Sequence, residues 1–231
     1  MIESLRNQTF EDFEVIVCDD KSDDKTVQIA EEYGARIILN DRVGEFESRN
    51  IGAENAKGTI IVFTSADAIL PKDALIKTWN EFSRDEELVA LFRPLFPYDG
   101  PFWSKLEYVF FYFIVKRLRA KFLNLVTGSS TFTAVRKLHF LKLGGYEDTM
   151  SADGPLGRDL SKFGTVKISF DMVIPISTRR IAKMGFFGFN KHFKHTIMVL
   201  FFPFIEKSNF YQSILDNTHK RHDRSKGGAV M

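Results

Sequence analysis

The sequence is poor in cysteine and in long apolar runs, and it has none of the short nucleotide-binding fingerprints. Its single cysteine, Cys18, rules out an internal disulfide and argues for a reducing compartment. The two most apolar segments contain runs of about nine residues, whereas a transmembrane helix needs roughly 20. There is no Cys/His metal cluster, no Walker loop and no GxGxxG sequence. These absences exclude a disulfide scaffold, a P-loop enzyme and a GxGxxG-type dinucleotide-binding domain.

What the chain does have is an uneven distribution of charge. The net charge of +2 combines roughly −10 over the first hundred residues with about +12 over the remainder. An acidic half suits a nucleotide that carries a metal ion, and a basic half rich in aromatic residues suits an anionic acceptor or a membrane surface. No nucleic-acid recognition motif accompanies the basic half, so nucleic acid is not an expected partner. With 44% hydrophobic residues, the 231-residue chain can bury the core of one α/β domain.

Two apolar runs stop on acidic residues where a helix is expected to begin. Residues 15–17 are a β-branched run, typical of a strand buried on both faces of a parallel sheet, and Asp19 and Asp20 follow it. A second run at residues 59–64 is followed by Asp67. Open α/β sheets bind ligands at the carboxyl ends of their strands, and Mg²⁺ binds through one or two carboxylates plus substrate phosphate. The pattern therefore predicts a cation and nucleotide site. The alternative is a turn rich in Asp and Ser that only connects strand to helix.

Hydrophobic periodicity predicts alternating strands and helices. Strands are expected near Val15, Ile37, Ile61, Val89, Thr131, Ile168 and Ile174, and helices from Glu3 and near Val27, Glu47, Ala74, Lys137 and Leu156. Helices between strands imply a mixed, mainly parallel sheet flanked by helices. The alternation stops near Gly185, so we expect an α/β domain over residues 1–185 and an aromatic, basic, helical extension over 186–231 with a disordered end.

Five motifs follow one another in an order that is more specific than any one of them. They lie at residues 4–20, 48–58, 65–67, 128–148 and 151–156, and they include S-R-N-x-G at 48–52 and G-G-Y at 144–146. In this order they resemble the motifs of the family 2 glycosyltransferases, nucleotide-diphospho-sugar transferases of the GT-A fold. The resemblance covers most of residues 1–180. It implies a Rossmann-like α/β domain that uses a nucleotide-diphosphate sugar and a divalent metal, Mg²⁺ or Mn²⁺.

The resemblance also implies a role for individual residues. Asp19 and Asp20 match the nucleoside-binding acidic pair, and Arg49 is expected near the nucleoside. Asp67 stands in the D-x-D position, where it would hold the cation and the diphosphate, and Asp153 stands where the family has its catalytic base. The expected reaction is inverting transfer of a sugar to a lipid-linked or cell-envelope glycan acceptor, in which a carboxylate takes the proton of the attacking hydroxyl.

The chain departs from the family pattern in three places. Ser65 replaces the first acidic residue of the D-x-D, and Ala152 replaces the glutamate beside the expected base. The family's first strand is missing before Met1, so either the chain is truncated or the sheet lacks an inner strand and the nucleotide pocket is open on one side. A catalytically degenerate homologue, which binds nucleotide sugar or a partner without turnover, is therefore the alternative function.

Some of the candidate residues have a purely structural alternative. Asp153 could cap the helix that continues through Pro155, in which case Glu147 or Asp148 becomes the candidate base. Arg49 could be a solvated helix arginine. Arg179 and Arg180 could neutralise phosphate or be surface charge.

Two aromatic segments, at residues 103–122 and 184–205, are flanked by basic residues. Such a pattern favours helices that lie at a membrane interface, with core packing as the alternative. We therefore expect a cytoplasmic protein that associates peripherally with the inner face of the cell membrane.

Overall fold

The computed structural model describes residues 1–40, 44–119, 126, 131–147, 153–179 and 185–187. The chain divides into two compact units, Met1–Arg179 and Arg180–Met231. The described residues of the second unit form one helical turn at 185–187, in which the rings of Phe186 and Phe187 meet edge to face. The remainder of the expected C-terminal extension lies outside the described residues. The boundary near Gly185 therefore stays a prediction.

Strands and helices alternate along the first unit. The strands are β1 (Ile16–Asp19), β2 (Arg36–Leu39), β3 (Ile60–Thr64), β4 (Leu88–Phe92), β5 (Leu95–Pro97), β6 (Phe132–Arg136), β7 (Thr165–Ile168) and β8 (Ile174–Ile176). The helices are α1 (Ile2–Arg6), α2 (Thr26–Glu32), α3 (Glu45–Asn55), α4 (Ala74–Arg84), α5 (Phe102–Val109), α6 (Lys137–Leu143) and α7 (Asp153–Leu160), with a π-helix at Phe110–Lys116 that continues α5. Each strand and helix that the periodicity predicts is present.

The central sheet has the strand order β3-β6-β4-β7. β6 is antiparallel to both of its neighbours, whereas β4 and β7 are parallel. The pairs β1–β2 and β5–β8 are also parallel, so three of the five described strand pairs are parallel. The predicted mixed, mainly parallel architecture is confirmed.

Apolar side chains cover both faces of the central sheet. Every residue of β4 is buried, as expected for a strand with a neighbour on each side and helices above and below. One core cluster joins the sheet to α4 through residues such as Leu75 and Phe82. The other joins it to α3, α6 and α7 through Ala53, Phe140 and Leu160. The first unit is therefore a three-layer α/β/α arrangement.

β1 differs from its sequence prediction. Ile16, Val17 and Cys18 are only half-buried, so the expectation of a strand buried on both faces is wrong. The reason lies in the pairing: in the described part of the chain β1 pairs with β2 alone, and this pair is a two-stranded sheet of its own.

Candidate active site

The two acidic residues at the carboxyl end of β1 have different environments. Asp19 is 4% exposed, and its Oδ2 accepts a hydrogen bond from the backbone N–H of Ser22 at 2.9 Å. Lys21, inside this turn, has a left-handed backbone with φ of 63°. Asp19 therefore closes the turn that follows the strand, which is a structural task.

Asp20 is the centre of a small polar cluster. Its Oδ1 accepts hydrogen bonds from the hydroxyl of Ser48 at 2.5 Å and from the side-chain amide of Asn40 at 3.2 Å. Its Oδ2 accepts one from the backbone N–H of Gly44 at 3.3 Å. Asn40 directly follows β2, Gly44 directly precedes α3, and Ser48 lies in the first turn of α3. The cluster fixes the orientation of the carboxylate at the end of β1.

Asn40 and Ser48 were not among the residues predicted from the sequence. Both are buried, and the Asn40 amide also donates to the Ser48 hydroxyl at 3.1 Å. Ser48 could have been found, since it is the first residue of the S-R-N-x-G motif. Asn40 carries no such signal, because its contact with Asp20 depends on the parallel pairing of β1 with β2.

Arg49, the next residue of α3, contacts Glu45, Phe63 and Tyr146. Its Nη2 is 2.8 Å from Glu45 Oε1, one turn earlier in α3, and its side chain is 10% exposed. The guanidinium carbon lies 5.9 Å from the ring centre of Phe63 and 6.0 Å from that of Tyr146. It is therefore packed in the layer between α3 and the turn after α6, where cation–π attraction holds it. This packing does not fit the alternative of a solvated helix arginine.

Asn50 connects α3 to the G-G-Y turn. Its amide donates to the backbone carbonyl of Tyr146 at 2.9 Å, and its Oδ1 accepts from the backbone N–H of Tyr146 at 2.8 Å. Gly145 has φ of 84°, and a Cβ there would lie 2.4 Å from Asn50 Oδ1. Only glycine fits at this position, because both the backbone conformation and the space exclude a side chain.

Asp67 lies in the loop that follows β3. Its backbone oxygen accepts a hydrogen bond from the N–H of Ser177 at 2.8 Å, and the neighbouring Ala68 forms a bridge with Ile176. Its carboxylate Oδ1 is 3.2 Å from Nη2 of Arg179, an exposed residue. The D-x-D loop is thus attached to the segment that follows β8.

Asp99 also binds the segment that follows β8. Its carboxylate accepts hydrogen bonds from the Ser177 hydroxyl at 2.6 Å, the Thr178 backbone N–H at 2.5 Å and the Thr178 hydroxyl at 3.0 Å. The bond from Ser177, followed by those from Thr178, lowers the pKa of Asp99 below its ordinary value. Asp99 is another residue that the motifs did not predict.

The potential metal ligands around Asp67 determine which kind of cation site is possible. Within residues 1–40, 44–119, 126, 131–147, 153–179 and 185–187, no group of three or more His, Cys, Asp or Glu side chains could hold a metal ion. Asp67 supplies one carboxylate, and Ser65 stands in the first position of the motif. One carboxylate fits a divalent cation that brings phosphate oxygens with it, since Mg²⁺ binds in this way. It does not fit a cation that the protein holds by itself.

The candidate base is the first residue of α7. The helix begins at Asp153, whose side chain lies outside the described part, and it is anchored by Leu156 and Leu160 in the core. Glu147 is exposed and lines a cavity of about 40 Å³ with Pro155 and Asp159. Asp148 and Arg180 lie outside the described residues.

The aromatic helix formed by α5 and the π-helix exposes an apolar face. Its exposed members are Phe102, Leu106, Val109, Phe110 and Ile114, and Leu118 in the helical residues directly after the π-helix extends the same face. Lys116 and Arg119 are buried, and the Lys116 ammonium lies 4.7 Å from the ring centre of Tyr112. Of the expected cationic end, Lys116 and Arg119 are therefore turned inward, whereas Arg117 is exposed. None of the helices in the described part is long and apolar enough to cross a membrane.

Comparison with known sequences decides the family. A model of glycosyl transferase family 2 matches residues 1–144 of this chain. The chain belongs to glycosyltransferase family 2. The match includes β1, β3, the S-R-N-x-G helix and Asp67, and it ends before Asp153.

Relatives of this family 2 glycosyltransferase include YfnE of Bacillus subtilis, an uncharacterized glycosyltransferase that is 32% identical over 44% of this chain and 25% of its own length. The poly(ribitol-phosphate) beta-glucosyltransferase of Bacillus spizizenii is 33% identical over 37% of this chain and 15% of its own length. The chain therefore matches a quarter or less of either relative. The mannosyltransferase PcManGT of Pyrobaculum calidifontis, solved in complex with GDP-Man and Mn²⁺, is similar in fold, with a TM-score of 0.63 at 20% identity over 84% of this chain and 59% of its own. This likeness confirms the GT-A fold.

Proposed function

We propose that this chain is an inverting glycosyltransferase that moves a sugar from a nucleotide-diphosphate donor to a lipid-linked or cell-envelope glycan acceptor with the help of a divalent cation. The observation that carries the proposal is the Asp20 cluster at the end of β1. A carboxylate that is oriented by Ser48, Asn40 and Gly44 is prepared to accept hydrogen bonds from a ligand. The family supports the reaction class, and the name of the Bacillus spizizenii relative supports an envelope glycan as acceptor.

Asp20 and its neighbours would bind the nucleoside. Among the described residues Oδ2 of Asp20 accepts one hydrogen bond, whereas a carboxylate oxygen can accept two. A base N–H or a ribose hydroxyl could therefore add a bond to Oδ2 without displacing a protein donor. Asp19 contributes by shaping the turn. Arg49 enters the proposal through the resemblance and through its position next to Ser48.

Asp67 would hold the cation, and Asp153 would act on the acceptor. When bound, the cation supplies positive charge against the diphosphate that leaves with its nucleoside. Asp67 contributes one oxygen ligand at the end of β3 and is kept in place by the backbone contact with Ser177. Asp153, at the start of α7, would take the proton of the acceptor hydroxyl as that oxygen attacks the anomeric carbon. Attack on the face opposite to the leaving diphosphate inverts the anomeric centre.

Donor binding tests the proposal. We expect GDP-mannose or a UDP-sugar to bind the intact chain in calorimetry, and Mn²⁺ to strengthen this binding. Asp67→Ala should abolish the Mn²⁺-dependent part, whereas the matched change Ser65→Ala in the same loop should have a much smaller effect. Equal Mn²⁺-dependent affinity in the wild type and in Asp67→Ala would show that the cation site is elsewhere.

The same titration separates the two candidate functions. Metal-dependent binding followed by hydrolysis or transfer of the sugar supports an active enzyme. Binding of the nucleotide sugar without release of nucleoside diphosphate supports the degenerate homologue, as expected if the loss of acidic residues at Ser65 and Ala152 is decisive.

We also propose that the exposed apolar face of α5 and the π-helix rests on the surface of a membrane. Six large apolar side chains share this face, and Arg117, also exposed, lies between Ile114 and Leu118. Such a face buries its side chains at the boundary between headgroups and acyl chains. A lipid-linked acceptor would then be presented at the same surface.

A further inference from the structure

We infer that Arg179 takes the place of the cation on Asp67 while the donor site is empty, and that Asp99 is the residue that positions Arg179 for this task. The inference rests on the proposed role of Asp67 as cation ligand. It adds that the cation site is regulated by Arg179, so that the metal would bind tightly only together with the nucleotide.

The first step is the contact itself. Nη2 of Arg179 lies 3.2 Å from Oδ1 of Asp67, which is a distance for a charge-assisted hydrogen bond. Because Ser65 removes the second acidic side chain of the motif, the guanidinium balances the one carboxylate that the loop presents. The side chain of Arg179 is 77% exposed, so it can leave Asp67 without being extracted from the core.

The second step is the anchoring of the segment that carries Arg179. The backbone N–H of Ser177 is bonded to the backbone oxygen of Asp67, and Asp99 binds the hydroxyls of both Ser177 and Thr178. Asp99 also accepts from the backbone N–H of Thr178, directly before Arg179. Because Ser177 and Thr178 are both anchored, the residue that follows them, Arg179, is held next to the loop that carries Asp67.

The third step is the close packing at the turn after Asp99. Gly100 has φ of 85°, and a Cβ at this position would lie 2.2 Å from the hydroxyl oxygen of Thr178. The turn therefore packs so closely against Thr178 that no side chain fits at position 100. Such close packing indicates a specific contact between the turn at Gly100 and Thr178.

The consequence concerns the order in which ligands bind. A divalent cation that approaches the empty site must first displace the guanidinium from a single carboxylate. A cation that arrives with a nucleoside diphosphate brings phosphate oxygens as additional ligands, and the displaced Arg179 can donate to a phosphate instead. Cation and nucleotide are therefore coupled, and the coupling is reciprocal.

The experiment measures Mn²⁺ binding to the full chain by electron paramagnetic resonance, with and without GDP or UDP. In the absence of nucleotide, Arg179→Gln should bind Mn²⁺ about two- to five-fold more tightly than the wild type, the range that an exposed ion pair provides. With nucleotide present this difference should disappear or reverse. Arg84→Gln, which removes an exposed arginine at the end of α4, should leave both affinities unchanged.

The variant Asp99→Asn tests whether Asp99 positions Arg179 beside Asp67. It should tighten nucleotide-free Mn²⁺ binding in the same direction as Arg179→Gln and reduce the Mn²⁺–nucleotide coupling, a quantity that a general loss of stability would not move. If this variant does not fold, Ser177→Ala removes one of the same bonds and should give a smaller change of the same sign.

The outcomes separate this inference from the proposed function. If the wild type and Arg179→Gln bind Mn²⁺ equally without nucleotide, while Mn²⁺ still strengthens nucleotide binding, the inference about Arg179 is wrong and the proposed cation site stands. If Mn²⁺ does not strengthen nucleotide binding to the wild type at all, the proposed metal dependence fails first.

Discussion

Three consecutive residues of α3 hold three different parts of the molecule together. Ser48 donates to Asp20 at the end of β1, Arg49 lies over the rings of Phe63 and Tyr146, and Asn50 binds the backbone of Tyr146. Successive helix positions are about 100° apart, so Ser48 reaches the end of β1, whereas Arg49 and Asn50 both reach Tyr146 of the G-G-Y turn. The S-R-N-x-G motif therefore describes a packing junction at least as much as a ligand site.

At the same scale, Asp153 can be tested by removing only its charge. Asp153→Asn should lower the rate of sugar transfer on the order of 10²- to 10⁴-fold, because a general base acts in the transition state. Donor affinity should be unchanged, since the proposed donor contacts are made by Asp20 and the cation. Steady-state transfer assays and calorimetry on the same sample give the two values.

Glu147→Gln is the matched control for this change. Glu147 is exposed in the turn before α7, and its amide variant should transfer sugar at nearly the wild-type rate. If instead Asp153→Asn is nearly as active as the wild type, Asp153 is a helix cap, and Glu147 or Asp148 becomes the candidate base.

The sequence was informative about single residues only where a motif or a strand end marked them. Asp19 is the last residue of β1, Asp20 follows it, and Asp67 lies in the loop after β3, so these carboxylates stand at strand ends as the apolar runs predicted. Asn40 and Asp99 could not be found in this way, because their partners are 20 and 79 residues away in the chain and are brought close only by folding.

On the scale of elements, the G-G-Y turn offers a comparison between two adjacent glycines. Gly144 and Gly145 both have left-handed backbones, with φ of 93° and 84°, so alanine at either position should cost about 1–2 kcal/mol of stability. A Cβ at Gly144 meets nothing within 4 Å, whereas at Gly145 it meets Asn50. Gly145→Ala should therefore lower the free energy of unfolding by about 1 kcal/mol or more beyond Gly144→Ala.

Urea unfolding of both variants measures this difference. In an Asn50→Ala background, which itself loses the two bonds to Tyr146, Gly145→Ala should cost only the backbone part, and the double-mutant cycle gives the steric part as the difference. Equal losses for the two single alanine variants would mean that Asn50 moves aside without cost.

Element prediction succeeded where a segment was long or strongly patterned. The apolar runs around Val17, Ile61 and Val89 were assigned to strands, and they are strands. The short strand Leu95–Pro97 was missed. Three residues that include a proline show almost no alternation of apolar and polar side chains, and the partner strand, Ile174–Ile176, is far away in sequence. The π-helix was also missed, since its wider hydrogen-bonding pattern leaves no mark on composition.

On the scale of the whole molecule, the apolar face of α5 and the π-helix predicts binding to vesicles. The intact chain should sediment with liposomes that contain anionic lipid, and salt should release it only in part, because it screens the charges and leaves the apolar insertion. Leu106→Gln, in the middle of the exposed face, should weaken sedimentation.

Leu138→Gln provides the control for that variant. Leu138 is 73% exposed on α6, so the same chemical change is made at a position that is not part of the face. Its sedimentation should match the wild type. If the wild type ignores anionic liposomes at low salt, or if both variants lose binding equally, the face packs against protein instead.

The pairing of β1 with β2 affects the local stability of the part of the fold that carries Asp20. These two strands share a four-residue parallel ladder, and among the described strands neither is bonded to the central sheet. A two-stranded ladder is only marginally stable by itself, so this part of the fold depends on its contacts with α2 and α3 and can open while the central sheet stays intact. A nucleotide that binds at Asp20 would select the closed state, and its apparent affinity would fall with the fraction of molecules that are open. Donor affinity would then respond to substitutions in α2 and β2 that never touch the ligand.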